Sequence, residues 1–417
     1  MMSISFRSGK ERIAGDHVVN KEPVLVARPP LLRQTNAQLL LRLLRGSGPC
    51  SKADLVRASG LSAPTVTNVV GHLASVGLIE PVGEGDSTGG RPPDIIRFRA
   101  ERGCVAGVEI GADALHFLLA DLDGHELTRA SASVTWNSSK PSAICSQIVK
   151  ELRNLTGKQK RADEQLLGVG VGVPSIVNVD KGTVLALSAL KGWNQVPLRS
   201  MLTRELKCQV AVDNDTNLAA LGEYNRGAAQ GESNFVFITI GEGVGAGIFL
   251  DGKLYRGSHW SAGEIGYLRI PHIAREHPAI RQYGRLEKIL GASGILRSWR
   301  AASKQARSKP SATRPADVFD LAIEGNARAK KILLNRATIL SDIILDLALI
   351  LNPSLILLGG EVGGHPRLLQ EVKALLKGSE FAIVRVLPGA LGPSAVLWGA
   401  AHTAMESALL SLLQPPD

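Results

Sequence analysis

The chain has 417 residues, 44% hydrophobic and 21% charged, with a formal net charge of +10 at pH 7. That length exceeds what one core holds, so two or three structural units of an ordinary soluble globular protein are expected. Basicity is densest early: residues 1–100 hold 13 Lys and Arg against 8 Asp and Glu, which suits a nucleic-acid partner or, alternatively, a merely solvated surface.

The four cysteines (Cys50, Cys104, Cys145, Cys208) lie far apart and form no CxxC pair, which excludes a disulfide framework and argues for reduced thiols in the cytoplasm. No signal peptide is expected at the start, where the residues are polar and mixed in charge. The most apolar region, 339–358, is interrupted by Asp342, Asp346, Asn352 and Pro353, so no membrane partner is expected.

Residues 1–30 show no periodicity and read as a flexible tail. Residues 34–45 form a Leu-rich helix (Leu39, Leu40, Leu43, Leu44). Ser51 with Asp54 three residues on is an N-cap signal, and Gly60 ends that second helix. Ser62 caps a third, which puts Val66, Val69, Val70 and Leu73 on one face and stops at Gly77. This helix-turn-helix directs Thr65, Thr67, Asn68 and His72 outward, as residue types that read base edges. Lys52 and Arg57 suit phosphate anchoring, with Ser62 beside them. Strands at 78–82 and 95–99 would flank a wing, EGDSTGGRPP, whose Arg91 suits a narrow minor groove. A small helical core motif with a polar surface is the alternative reading. The winged unit closes at about residue 100.

From Cys104 the texture becomes α/β: apolar strands, Gly-rich turns and helices. VEIGADALHFLLADLDG (108–124) echoes ITIGEGVGAGIFLDG (238–252), each running strand, Gly turn, strand and Asp-Gly turn. Such an echo implies a duplicated, two-lobed fold with a cleft. Further elements are a helix at 141–155, the strand LLGVGVGVP, the strand-to-helix passage QVAVDNDTNLAALGEYNRG, a helix at 327–351, the strand LILLGG and a helix at 394–412.

In order along residues 33–413 stand the helix-turn-helix with GGRPP, VEIGA at Val108, GVGVP at Gly170, VDNDTNLAALGE at Val212, GEGVGAG at Gly241, AGEIG at Ala262, LGG at Leu358 and GAA at Gly399. Together they resemble the regulator branch of the ROK proteins (repressors, open reading frames and sugar kinases). The resemblance implies a winged helix-turn-helix over residues 31–100, then an actin-like, ribonuclease H-like two-lobed ATPase-fold sugar sensor over 101–417. Lobe one would hold about 101–220 plus 394–417, and lobe two about 221–393. It implies a repressor of carbohydrate uptake or catabolism genes, a homodimer or homotetramer on double-stranded operator DNA, with a sugar or sugar derivative as effector.

Asp215 matches the family's catalytic base, a vestigial position here; a helix N-cap is its plain alternative. Asn214 beside it would hydrogen-bond ring hydroxyls. Glu264 and Glu287 match sugar-binding carboxylates, or are ordinary capping acids, and Trp193 would sit on the loop leading to the sugar. The phosphate loops depart from the kinase pattern. The first reads Glu109-Ile110-Gly111-Ala112-Asp113, and in the second Glu242 separates Gly241 and Gly243. Asp113 and Glu242 would each repel a nucleotide polyanion by about 1–4 kcal/mol at a separation of about 4 Å. No enzyme activity is therefore expected. The family's zinc positions are Tyr267, Pro278, Ile280 and Arg285 here, with only His272 and His277 nearby, so no metal or other cofactor is expected. Tyr267 would replace the family's sugar-contacting His. The pocket then takes an altered sugar, a sugar acid or phosphate through Arg281 or Arg285, or no small molecule. A sugar kinase with an accessory DNA-binding domain, and a ligand-independent DNA-binding protein, are the alternatives.

Overall fold

The computed structural model describes residues 29–85, 92–111, 113–134, 140–158, 165–186, 193–269, 284–305, 312–379 and 384–414. Nearly all of the expected N-terminal tail lies outside the described residues. So do the centre of the expected wing with Arg91, and the segment holding His272, His277, Pro278, Ile280 and Arg281.

Helix α1 (Pro29–Ser47), strand β1 (Cys50–Ser51), helices α2 (Lys52–Ser59) and α3 (Ala63–Ser75), and strands β2 (Ile79–Glu84) and β3 (Asp94–Phe98) come first. Helix α1 starts before residue 34, because Pro29 and Pro30 fit a first turn whose N–H groups have no helical acceptor anyway. Ser51 and Asp54 form a reciprocal capping box on α2, and Gly60 ends it at φ 69°. The Ser62 hydroxyl accepts the Thr65 N–H and starts α3. Strands β2 and β3 pair antiparallel, and β1 adds to β3's other edge.

Next come β4 (Gly103–Ile110), β5 (Ala114–Asp121), β6 (Glu126–Ser133), α4 (Pro141–Lys158) and β7 (Gln165–Val173). A small antiparallel sheet follows: β8 (Ile176–Asn178), β9 (Thr183–Ala186) and β10 (Asn194–Val196). Helix α5 (Leu198–Leu206), β11 (Gln209–Asn214) and α6 (Asp215–Arg226) lead to β12 (Phe235–Ile240), β13 (Val244–Leu250) and β14 (Lys253–Tyr255). Helices α7 (Arg285–Leu290), α8 (Ala292–Gln305), α9 (Pro315–Ile323) and α10 (Ala327–Leu351) follow. Then come β15 (Leu355–Gly359), α11 (Gly360–Gly363), α12 (Pro366–Leu376), β16 (Arg385–Pro388) and α13 (Ala395–Leu412).

The duplication seen in the sequence is real topology. One five-stranded sheet runs β6-β5-β4-β7-β11 and the other β14-β13-β12-β15-β16. In both, the first strand pairs antiparallel with the second and parallel with the strand after the first crossover. The apolar stretch at 339–358 divides between α10 and β15. No described helix is long and apolar enough to cross a membrane.

Helix α13 is the shared wall of the molecule. It lies on β4 and β7 at glycine positions: a Cβ on Gly170 would overlap the Ala400 carbonyl oxygen, and one on Gly399 would overlap that of Leu218 in α6. The GVGVG run is therefore a groove for α13. Its Leu397, Ala401, Met405 and Leu409 belong to one apolar cluster with Val105 of β4 and Leu118 of β5, and with Leu40 and Leu44 of α1, Leu55 of α2 and Val66 and Leu73 of α3. Each fully buried Leu there contributes about 1.5–3 kcal/mol. The helix-turn-helix thus shares one core with α13 and the first sheet.

Candidate functional site

Two surfaces carry chemistry. On the helix-turn-helix, Lys52, Thr67 and Asn68 are exposed, and Thr65 is half-buried. The Ser62 and Thr65 hydroxyls lie 2.8 Å apart, so the cap of α3 occupies both. Arg57 is exposed but pairs with Asp54 on its own helix. His72 stands apart from this group. It is half-buried, and its Nε2 lies 3.4 Å from the Leu413 carbonyl, which turns the ring toward the C-terminal helix.

The second surface is built where β11 ends and α6 begins. Asn214 caps α6: its Oδ1 accepts the Asn217 N–H at 3.0 Å, and its Nδ2 donates to the Ser175 carbonyl at 3.1 Å. With the cap supplied by Asn214, Asp215 is released from that task, and its Oδ1 accepts the Thr216 N–H at 2.7 Å and the Thr216 hydroxyl at 3.4 Å. Burial and the Asp213 carboxylate push Asp215 up to about 6. Asp213 in turn is held by Arg256, whose Nη2 and Nε lie 2.6 and 3.0 Å from one carboxylate oxygen. This ion pair ties the edge strand of the first sheet to the loop after β14, across the cleft.

Around Asp215 stand three more half-buried acids. Glu109, at the end of β4, is pushed to about 7 by burial and then by Asp215. Burial, Asp215 and Glu287 raise Glu264 to about 7. Burial also raises Glu287, against hydrogen bonds from the Gly284 N–H at 2.5 Å and the Val244 N–H at 3.4 Å. Both sheets thus deliver carboxyls to one place, where they accept or donate hydrogen bonds according to their protons. Such a set suits a polyhydroxylated ligand.

Of the residues expected in the site, Asn214, Asp215, Glu264, Tyr267 and Glu287 come from elements that border this cleft. Tyr267 is half-buried in the single turn Ile265–Tyr267, directly after Glu264. Trp193 does not join them. It is 1% exposed and packed in the core with Val177, Val184 and Val196, so its ring is not offered to the cleft. Glu109 and Arg256 were missed as site residues. Glu109 could have been found as the one acid in an otherwise buried β4.

The two loops of kinase-like position differ in character. Asp113 is exposed beside the β4–β5 turn, and its carbonyl accepts the Val134 N–H at 3.0 Å. Glu242, also exposed, lies over the first turn of α8, where the Ser293 hydroxyl donates to its Oε2 at 2.7 Å. Arg285 is buried in the first turn of α7. Among the described residues no cluster of three His, Cys, Asp or Glu is placed to hold a metal ion.

A helix-turn-helix joined to a duplicated two-sheet core with an acid-lined cleft defines an actin-like sugar-kinase fold carrying an N-terminal helix-turn-helix head. The ROK family model matches residues 105–407, and the chain belongs to that family. It is 27% identical over 338 residues to a xylose repressor from Caldicellulosiruptor bescii, covering 79% of this chain and 84% of that protein. It is 33% identical over 247 residues to a glucokinase from Halalkalibacterium halodurans, covering 57% of this chain and 74% of that one. The crystal structure of a ROK family transcriptional regulator, a homolog of the E. coli MLC protein, superposes with a TM-score of 0.76 at 23% identity, covering 92% and 98% of the two chains. That likeness extends the shared fold over the N-terminal helices as well as the cleft.

Proposed function

We propose that the chain is a sugar-responsive transcriptional repressor of carbohydrate uptake or catabolism genes, acting in the cytoplasm. One observation carries the reading: α13 packs against α6, which starts at Asp215, and shares an apolar core with the helix-turn-helix. A ligand that draws the two sheets together on Asp215 moves α6, and α13 transmits that to the reading head. Asn214, Asp215, Glu264, Tyr267 and Glu287 would take the ligand's hydroxyls. Lys52 would anchor phosphate, Thr67 and Asn68 would read bases, and Arg91 would enter the minor groove. The reading unit is assigned to about residues 31–100 and the sensor to 101–417, in a homodimer or homotetramer that matches a palindrome.

The loops favour regulation over phosphoryl transfer. Glu242 lays a carboxylate at the N-terminus of α8, where backbone N–H groups and the helix dipole would otherwise attract a phosphate. Asp113 adds a second negative charge. Against this stands Asp215, intact and raised to about 6, in the range a general base uses; it keeps a sugar kinase as the second reading.

Selection from a random duplex library at physiological salt, followed by a sugar panel on the recovered sites, tests the proposal. A palindromic consensus released by one class of sugar supports it. Uniform recovery, together with hexose-dependent ATP consumption that Asp215→Asn abolishes, would establish the kinase instead.

A further inference from the structure

A cavity of about 270 Å³ lies away from the acid-lined cleft, where the last turn of α1 meets the β5–β6 turn, the end of α6 and the middle of α13. Arg45, Asp123, Arg226, Trp398 and His402 line it. Its two cations are held differently. Arg45 crosses from the reading head and pairs with Asp123 at 2.8 Å, with its guanidinium 5.5 Å from the Phe98 ring centre. Arg226, exposed at the rim, lies 3.9 Å over the Trp398 ring and gives Nη1 to the Gly124 carbonyl at 2.6 Å. Among the described residues no carboxylate lies within ion-pair distance of it; the acid that feels its charge, Glu126, is already paired with Arg129 at 2.7 Å. The nearby Asp121 is committed elsewhere: its Oδ1 accepts the Asp123 and His125 N–H groups at 2.9 and 2.8 Å.

We propose that this cavity is a second ligand site, for a small metabolite carrying a carboxylate or phosphate group, with Arg226 as its fixed anchor and Arg45 as its readout. The volume lies just under the roughly 300–1,000 Å³ of drug-sized pockets, which limits the ligand to a few functional groups. Trp398 and Met405 offer an apolar floor, while burial keeps His402 below the usual histidine range, as a neutral donor or acceptor. An oxyanion bound between the arginines competes with Asp123 for Arg45. Because Arg45 belongs to α1 and Asp123 to the sensor, occupancy releases one strut between them. The inference is independent of what the cleft binds.

The test is calorimetric titration of the full chain with inorganic phosphate and with 3-phosphoglycerate, at ionic strength held constant with chloride. The expected result is one saturable site for at least one of the two anions. Arg226→Gln should weaken it at least tenfold, and Asp123→Asn should tighten it several-fold by removing the internal competitor. Asp215→Asn, in the other cleft, should leave it unchanged. A purely structural role for the pair predicts weaker binding in Asp123→Asn, so the sign separates the two accounts. No saturable heat with either anion, equal binding in wild type and Arg226→Gln, or loss confined to Asp215→Asn overturns the proposal.

Discussion

Glu223 in α6 accepts the Leu391 N–H at 2.8 Å, and through this bond the helix that starts at Asp215 is tied to the loop that leads from β16 into α13. The same carboxylate accepts the Ala390 N–H at 3.0 Å and the Ala228 N–H at 2.8 Å, and its side chain is fully buried. Three converging backbone donors satisfy a charge that would otherwise be costly to bury. Glu223→Gln turns one acceptor oxygen into a donor facing donors. It should lower unfolding free energy by about 2–4 kcal/mol, because a buried partner is left unmet. Urea unfolding measures this; a loss below about 0.5 kcal/mol, as is usual for surface substitutions, would refute the tie.

The acids around Asp215 make stability depend on pH. Glu109 and Glu264 stand at about 7 and Asp215 at about 6, against ordinary values of 4.5 and 3.8. The folded chain therefore holds these protons to higher pH than the unfolded chain does. Stability from this cluster is present at low pH and is lost as pH rises from about 4 to about 7. The urea midpoint should fall between pH 5 and pH 8, and Glu264→Gln should flatten that fall. Ligand hydroxyls that donate to these carboxylates favour the ionised form, so sugar affinity should rise with pH over the same range. An identical pH profile in wild type and Glu264→Gln would remove the cluster from the account.

Local signals in the sequence carried the reading head and the strands, and long-range ones did not carry the cleft. Ser51, Gly60 and Ser62 act within four residues of themselves, so the helix limits of α2 and α3 follow from short-range chemistry. The 108–124 and 238–252 echo held because both segments build the same antiparallel pair. Trp193 was misplaced because a loop's position in the chain does not say which side of it faces the core. Arg256 carries no local signal at all: its partner, Asp213, is 43 residues away and joins it only when the sheets face each other. His72 satisfied helical periodicity, yet the C-terminal helix, 341 residues on, claims its ring.

Gly399 and Gly71 separate two roles of glycine in helices. A Cβ on Gly399 overlaps the Leu218 carbonyl oxygen, whereas one on Gly71 in α3 meets nothing within 4 Å. Gly399→Ala should push α13 off α6, destabilise the fold by several kcal/mol and weaken any coupling between cleft and DNA. Gly71→Ala should stabilise by about 0.5–1 kcal/mol, through reduced freedom of the unfolded chain. Thermal unfolding of both variants is the check, and equal melting temperatures would mean that the close approach of α13 and α6 is not required.

The reading head should divide its contacts by type. Lys52 is an exposed cation on the first turn of α2, suited to a phosphate and blind to sequence. Lys52→Ala should weaken binding to all duplexes alike and reduce the slope of log affinity against log salt by about 1. Thr67 and Asn68 are exposed on α3, and a base pair lost to either should cost about 1–3 kcal/mol of discrimination at one position. Asn68→Ala should therefore relax the consensus at that position and leave the salt slope unchanged. Arg91→Ala should lower affinity most for sites with a narrow, A·T-rich minor groove beside the half-site. Fluorescence anisotropy on the selected sequence, its point variants and a shuffled duplex, over a range of salt, distinguishes the three. If Asn68→Ala and Lys52→Ala changed all three duplexes and the salt slope alike, α3 would be a phosphate clamp and the reading of bases would belong elsewhere.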